Sequence, residues 1–200
     1  YTMICEFIGY SKYGDEGKVM GLAPYGKDAY SDIFEQMVTL TDKGFEINPD
    51  FFVPFGSQSN ITILDDGSMK VSKLYSDKMV EMFGAPRNPK NELSQRDMDL
   101  AYGMQATFER VYMHLLNKLH LLVPNDRVVI AGGGALNSVA NGKLFEQTPF
   151  YKTAIQPAAG DDGLAMGAAL YVSQSILQDA PRWEITNSYF GPEYNDSEVQ

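Results

Sequence analysis

The spacing of apolar residues gives its clearest helical signal in the second half of the chain. Ser94 followed by Asp97 is typical of a helix start, and apolar residues then recur every three or four positions. This period matches the turn of an α-helix. The apolar positions are Leu100, Met104, Phe108, Val111, Leu115 and Leu119. The pattern predicts one long amphipathic helix from residue 94 to about residue 122.

Short apolar runs alternate with helical patterns after this helix. Residues 128–131 are all apolar, as in a buried parallel strand, and residues 151–155 are predicted to form a second short strand. A helical pattern follows each run, over residues 137–145 and residues 161–177. The order helix, strand, helix, strand, helix is typical of an α/β layer with a mostly parallel sheet flanked by helices.

Gly, Pro, Asn and Asp, which favour turns, interrupt the first part of the chain more often. Its patterns predict a short helix at Glu16–Leu22 and an amphipathic helix near residues 29–40. Alternating apolar residues around Asp65-Asp66-Gly67 predict a β-hairpin. The change in composition near residue 94 predicts a loop-rich helical and hairpin segment at residues 1–93 and an α/β nucleotide-binding lobe at residues 94–200.

Composition narrows the class of protein and its partners. Hydrophobic residues make up 44% and charged residues 21%, which is globular rather than disordered, collagen-like or coiled-coil. The 26 acidic and 16 basic residues give a net charge of -10, so we do not expect nucleic acid as a partner. No apolar run approaches the ~20 residues of a membrane span, so we expect no membrane partner. The single cysteine, Cys5, forms no internal disulfide, and the cytoplasm is the expected location.

A glycine turn between a strand and a helix is the first candidate for chemistry. It lies in the segment VVIAGGGALN, and its candidate binding residues are Gly132, Gly133, Gly134 and Asn137. Glycines at such a junction allow backbone N–H groups to approach a phosphate or a nucleoside. The dinucleotide fingerprint is excluded because Asn137 stands where its last glycine is required, and no Gly-Lys-Ser/Thr of a P-loop follows. A tight turn that binds nothing is the alternative.

Two adjacent carboxylates form the second candidate, in the segment QPAAGDDGLAMGAAL. Asp161 and Asp162 stand at the start of a predicted helix, so either could simply cap it. The small residues behind them predict that this helix approaches another backbone closely. Two carboxylates held together in such a cleft would suit a metal or a metal–nucleotide. Capping and ligand binding both remain open on these residues.

The segment DEGKVMGLAPYG is the third candidate. Lys18 and the flexible glycines, among them Gly21, could bind a phosphate or a carboxylate, although the spacing alone favours a charged helix face.

His114 and His120 lie six positions apart on the long helix, about 240° around its axis, so they cannot share one metal. One cysteine and two histidines cannot form a zinc site, and no G-x-S-x-G motif supports a serine nucleophile.

In their order along the chain, residues 15–26, 128–144 and 156–170 resemble the NodU-type O-carbamoyltransferases. The run Phe190–Tyr194, FGPEY, is similar to the end of that family's first domain. The resemblance implies the C-terminal half of an actin-like ATPase domain, a ribonuclease H-like fold related to the tRNA threonylcarbamoyl transferases. Because the chain begins at Tyr1 without an initiator Met, we expect it to be a fragment of a longer multidomain protein.

The resemblance also implies a nucleotide site. Gly132 and Gly133 with Asn137 would hold the adenosine part of ATP, and Gly21 would lie near the nucleoside. Gly134 stands where relatives often carry Val.

A metal site is the second implication of the resemblance. Asp161 would bind an iron-type divalent metal beside two histidines that belong to the family's N-terminal half and are absent from this sequence. Lys18 would help to neutralise a phosphate.

The implied reaction is transfer of a carbamoyl group from carbamoyl adenylate to a hydroxyl of a small-molecule acceptor. A second domain after residue 200 would make the adenylate from carbamoyl phosphate and ATP. The isolated 200 residues are expected to be inactive, because the N-terminal half of the cleft lies elsewhere in the protein. A non-catalytic nucleotide-binding module and an actin-like sugar kinase are the alternatives that the glycines alone would also fit.

Overall fold

The computed structural model describes residues 1–53, 61–71, 73–178 and 191–199. The helices are α1 (Thr2–Phe7), α2 (Glu16–Leu22), α3 (Ser31–Met37), α4 (Asp77–Phe83), α5 (Gln95–Leu122), α6 (Ser138–Gln147), α7 (Leu164–Tyr171) and α8 (Asp196–Val199). The strands are β1 (Val38–Thr41), β2 (Gly44–Ile47), β3 (Ile61–Ile63), β4 (Met69–Val71), β5 (Arg127–Ile130) and β6 (Lys152–Ile155). No helix within the described ranges combines the length and apolar surface that crossing a bilayer requires.

Three two-stranded sheets within the described ranges give a mixed α/β architecture. β1 pairs with β2 and β3 pairs with β4, both antiparallel, while β5 and β6 form a parallel pair. The predicted hairpin at Asp65-Asp66-Gly67 is the β3–β4 pair, and Gly67 has a φ of +78°, a conformation that favours glycine. The predicted α/β class is therefore confirmed as a mixture of helices and small sheets that includes a parallel pair.

The helix predicted near residues 29–40 is shorter than expected. α3 ends at Met37, and the next four residues form β1, whose Thr41 pairs with Gly44 of β2. Three of the four β1 residues are β-branched and favour strands. Gly44, with a φ of +145°, allows the tight return. The apolar residues of this stretch fit a helical period as well, so pairing with β2 decided the structure.

The described residues divide into two compact units. The first comprises residues 1–128 and 137–152, and the second comprises residues 129–136 and 153–200. This division differs from the change in composition at residue 94. The reason is that α5 packs on the short 3₁₀ turn Ala23–Tyr25, on α2 and on α3, so the long helix belongs with the N-terminal elements.

Aromatic rings form the centre of the first unit. The ring of Phe83 lies 5.3 Å from Phe34, 5.4 Å from Tyr30 and 6.2 Å from Phe7, measured between centroids. Phe34 is buried beneath α5, where Gly103 leaves room for its ring. The core therefore depends on a glycine of α5 at its contact with Phe34.

The predicted helix start at Ser94 is confirmed, and Ser94 and Asp97 form a capping box there. The Ser94 side chain accepts a hydrogen bond from the Asp97 N–H, and the Asp97 carboxylate accepts one from the Ser94 N–H at 2.8 Å. These bonds satisfy backbone donors that the first turn of a helix leaves without partners.

Apolar residues of α5 and β5 are more exposed to solvent than the sequence pattern predicts. Leu115 and Leu119 of the α5 stripe are 39% and 43% exposed, whereas Gln105 and Thr107 are buried. β5 was predicted to be a buried strand, but Val129 is 80% exposed within the described structure. Apolar spacing predicts which residues share a face, but the neighbouring elements determine which face is covered.

Cys5 provides a test of the first unit's core. Its side chain is 1% exposed, and burial, followed by the negative charge of Glu16, raises the pKa of the thiol from 9.0 to about 12. Because the folded pKa is the higher one, the neutral thiol favours folding below about pH 9, and this contribution is lost as the pH rises towards 12. We expect iodoacetamide at about pH 8 to leave Cys5 unmodified in folded protein and to modify it fully in denaturant.

Intact mass measured over time checks this prediction, with Ser31→Cys as an exposed control on the same chain. Labelling of Cys5 in folded protein as fast as labelling at position 31 would contradict the buried placement.

Candidate nucleotide-binding site

The glycine turn lies in the second compact unit, directly after β5. Gly132 has a φ of +98°, a backbone conformation that residues with a side chain rarely adopt. Its N–H donates a hydrogen bond to the Ala159 carbonyl oxygen at 2.8 Å. The 3₁₀ turn Gly133–Leu136 follows. A Cβ added at Gly132 or Gly133 would meet no atom within 4 Å. The backbone of the turn thus borders open space on the side where a ligand could approach.

The Gly132–Ala159 hydrogen bond joins this turn to the loop that carries the two carboxylates. Asp161 and Asp162 are exposed and lie in the 3₁₀ turn Asp161–Gly163. The N-cap positions of this turn and of α7 are Gly160 and Gly163. Neither aspartate occupies the N-cap position of this turn or of α7, and the two features predicted to share a site lie on adjoining loops of one unit.

The predicted close approach behind the carboxylates occurs at a single glycine rather than along the helix. A Cβ at Gly163 would lie 2.1 Å from the Ala158 carbonyl oxygen, whereas one at Gly167 would meet no atom within 4 Å. No described residue of α7 is buried. The prediction that α7 approaches another backbone along its length is wrong for the part of the chain that the structure describes.

Lys18 and Gly21 lie on α2, in the first unit. The Lys18 ammonium is 2.7 Å from the carboxylate of buried Asp15, and it lies 5.2 Å from the centroid of the Tyr10 ring. Its hydrogen bond to Asp15 raises the pKa of Lys18, so the side chain stays cationic. A Cβ at Gly21 would meet no atom within 4 Å, which leaves the helix surface open there.

Asn137 is buried in the first unit and has a structural role. Its Oδ1 accepts hydrogen bonds from the Ala140 N–H at 3.0 Å and from Gln105 Nε2 at 3.0 Å. Its Nδ2 donates to Gln105 Oε1 at 2.9 Å. The side chain therefore caps α6 and pairs with α5, while its contact with a nucleotide stays a prediction.

Sequence analysis did not identify the polar residues that line a cavity of the first unit. Glu109 accepts hydrogen bonds from Gln105 Nε2 at 2.9 Å and from Lys143 Nζ at 2.5 Å. These three residues border a cavity of about 270 Å³, and the other lining residues are Met20, Ala23, Pro24, Tyr102, Ala106 and Val139. The available signal was a glutamine directly after Met104 of the apolar stripe, because a polar side chain that becomes buried requires partners.

The described residues do not form a complete metal site. They contain no group of three or more His, Cys, Asp or Glu side chains that could hold a metal ion. His114 Nε2 lies 3.0 Å from the Thr41 carbonyl oxygen, and His120 Nδ1 lies 2.9 Å from the Asn125 carbonyl oxygen. Each histidine thus has a backbone partner for one of its ring nitrogens. A site that includes Asp161 would need ligands from outside the described residues.

Comparison with known protein families identifies the family of this chain. The family described as "Carbamoyltransferase N-terminus" matches residues 1–170. The chain therefore belongs to the carbamoyltransferase family, and the resemblance carried by the three motifs is confirmed.

The chain is also similar to individual proteins. The chain is 35% identical to Nodulation protein NolNO of Sinorhizobium fredii, over 96% of the chain and 25% of that protein. It is 32% identical to Nodulation protein NolO of Bradyrhizobium diazoefficiens, over 100% of the chain and 32% of that protein. It is 34% identical to the uncharacterized protein sll1178 of Synechocystis sp., over 100% of the chain and 31% of that protein. The chain thus spans between a quarter and a third of the length of these relatives.

Proposed function

We propose that this chain forms the C-terminal half of an actin-like nucleotide-binding domain in a carbamoyltransferase. The whole protein would transfer a carbamoyl group from carbamoyl adenylate to a hydroxyl of a small-molecule acceptor. Family membership supports carbamoyl transfer as the class of reaction. The observation that carries the site is the 2.8 Å hydrogen bond from the Gly132 N–H to the Ala159 carbonyl, which keeps the glycine turn beside the loop of Asp161.

The glycine turn is the proposed binding element for ATP and its adenylate. Gly132, Gly133 and Gly134 expose backbone without side chains, and backbone N–H groups in such turns are hydrogen-bond donors for phosphate or nucleoside oxygens. Asn137, whose Oδ1 already accepts two hydrogen bonds, would contribute by holding the backbone that continues from the turn.

Lys18 and Gly21 are proposed to contribute from α2. The Lys18 ammonium would neutralise phosphate charge, and its ion pair with Asp15 limits the directions in which the side chain extends. Gly21 would admit the nucleoside because no atom lies within 4 Å of its Cβ position.

Asp161 is the proposed carboxylate ligand of a divalent metal, which the family resemblance implies to be iron. Its exposed place on a short turn suits a shared site in which two histidines come from the N-terminal half of the protein. Such a metal, when bound, would polarise the carbamoyl carbonyl. The further partners are carbamoyl phosphate and a C-terminal domain that forms the adenylate, and we propose the cytoplasm as the location.

Product analysis with the full-length protein tests this function. We expect carbamoyl phosphate, ATP and a panel of hydroxyl-bearing small molecules to give a carbamate ester and AMP, detected by mass spectrometry. Parallel reactions without carbamoyl phosphate are the control and should give no ester.

The alternatives predict different products. A phosphorylated acceptor with ADP would identify a kinase, and ATP binding without a new product from any acceptor would identify a nucleotide-binding module. Either result would refute carbamoyl transfer.

A further inference from the structure

Gln105 is a buried polar residue in the middle of α5, and every hydrogen-bonding group of its amide has a partner. Its side-chain oxygen accepts from Asn137 Nδ2 at 2.9 Å and from the Tyr1 hydroxyl at 2.7 Å. Its side-chain nitrogen donates to Asn137 Oδ1 at 3.0 Å and to Glu109 Oε1 at 2.9 Å. An amide offers two donors and about two acceptor sites, so Gln105 is fully satisfied.

The reciprocal amide pair links two backbone positions. Gln105 is 5% exposed and Asn137 is 9% exposed, so water cannot readily replace either partner. The same Asn137 oxygen that accepts from Gln105 also accepts from the Ala140 N–H at the start of α6. Since an unpaired buried amide is costly, the pair favours one orientation of Asn137 relative to α5.

A second polar contact joins the same two helices one turn further along α5. Glu109 accepts from Lys143 of α6 at 2.5 Å. The cavity of about 270 Å³ that Gln105, Glu109 and Lys143 border shows that apolar packing does not fill this side of the α5–α6 contact. The hydrogen bonds of Gln105 and Glu109 therefore cross a part of this contact that apolar side chains leave open.

We propose that Gln105 is a positioning residue for nucleotide binding. It holds Asn137, and with it the backbone that continues directly from the turn Gly133–Leu136, in the conformation that binds ATP. This role rests on the proposed function, and Gln105 acts through Asn137 without touching the ligand.

Gln105→Met in the full-length protein tests the proposal. Methionine has a similar length and fills similar volume, but it removes both hydrogen bonds to Asn137. We expect the Kd for ATP, measured by isothermal titration calorimetry, to rise about tenfold, which corresponds to about 1.4 kcal/mol. Thr107→Val is the matched control, because Thr107 is also 5% exposed on α5 but is not part of the Gln105–Asn137 pair. Its Kd should match that of wild type.

Gln105→Glu gives a second readout that a merely structural role would not produce. The ionised carboxylate keeps an acceptor for Asn137 Nδ2, loses the donor to Asn137 Oδ1 and adds charge beside Glu109. A protonated carboxyl regains one donor, and the neighbouring acid raises its pKa. ATP binding by this variant should therefore recover towards that of wild type as the pH falls, whereas Gln105→Met should not recover.

The outcomes separate the two proposals. If wild-type protein binds ATP and both Gln105 variants bind it with the Kd of Thr107→Val, the positioning role is wrong, even if thermal unfolding shows lower stability. If Gln105→Met does not fold, the pH dependence of Gln105→Glu decides. If wild-type protein binds no ATP, the proposed function itself fails and this inference fails with it.

Discussion

Replacement of Asp161 by alanine in the full-length protein is expected to lower carbamoyl transfer by roughly 10²- to 10³-fold, the scale of the loss when one fixed group that stabilises a transition-state charge is removed. Asp161 does not occupy the N-cap position of its turn or of α7. It is also exposed, so little packing is lost. Product formation by mass spectrometry measures the effect, and thermal unfolding should show a wild-type midpoint.

Asp162→Ala is the matched control, because it removes the same group one residue further along the same turn. The Asp162 carboxylate lies against Gly160, with Oδ1 3.3 Å from the position of an added Cβ there. We expect this variant to keep most of its activity and its bound metal, and Asp161→Ala to lose metal in elemental analysis. Wild-type turnover by Asp161→Ala, or equal losses in both variants, would contradict a specific role for Asp161.

Gly103→Ala is expected to destabilise the first unit by about 1–3 kcal/mol, the usual cost of adding a methyl group to a filled core. The added Cβ would lie 2.3 Å and 2.5 Å from two ring carbons of Phe34, and real Cβ contacts are not that short. Phe34 is 2% exposed and packs against Phe83, so its ring cannot move away without disturbing other buried rings. Urea denaturation measures the free energy of unfolding.

Gly142→Ala is the control for this substitution, because Gly142 also lies inside a helix but has no atom within 4 Å of its Cβ position. Alanine is favoured over glycine in a helix by about 1 kcal/mol, so this variant should be slightly more stable than wild type. A rise in stability for both variants would show that α5 does not approach Phe34 as closely as described.

Elements whose signals are local were predicted well. The bounds of α2, Glu16–Leu22, agree with the sequence prediction, and the capping box of Ser94 and Asp97 marks the start of α5. The hairpin at Gly67 also follows from a local turn signal. In each case the residues that determine the element are a few positions apart, so backbone preference and side-chain capping are sufficient.

Elements that depend on distant partners were predicted less well. Residues 38–41 form a strand because they pair with Gly44–Ile47, although their apolar spacing also fits a helix. Val129 is exposed although its run of apolar neighbours predicts burial. The covered face of a strand or helix depends on which element packs against it, and a hydrophobic period does not contain that information.

The sequence by itself determined the three motifs, the family they indicate and the chain's α/β alternation. Glycine backbone freedom, capping chemistry and residue spacing are properties of short segments. Only the tertiary structure brought the Gly132 N–H to the Ala159 carbonyl beside the Asp161 loop, and only it paired Gln105 with Asn137. Hydrogen bonds between residues far apart in the chain depend on how the elements pack, and a buried amide takes its partners from whichever groups that packing brings within reach.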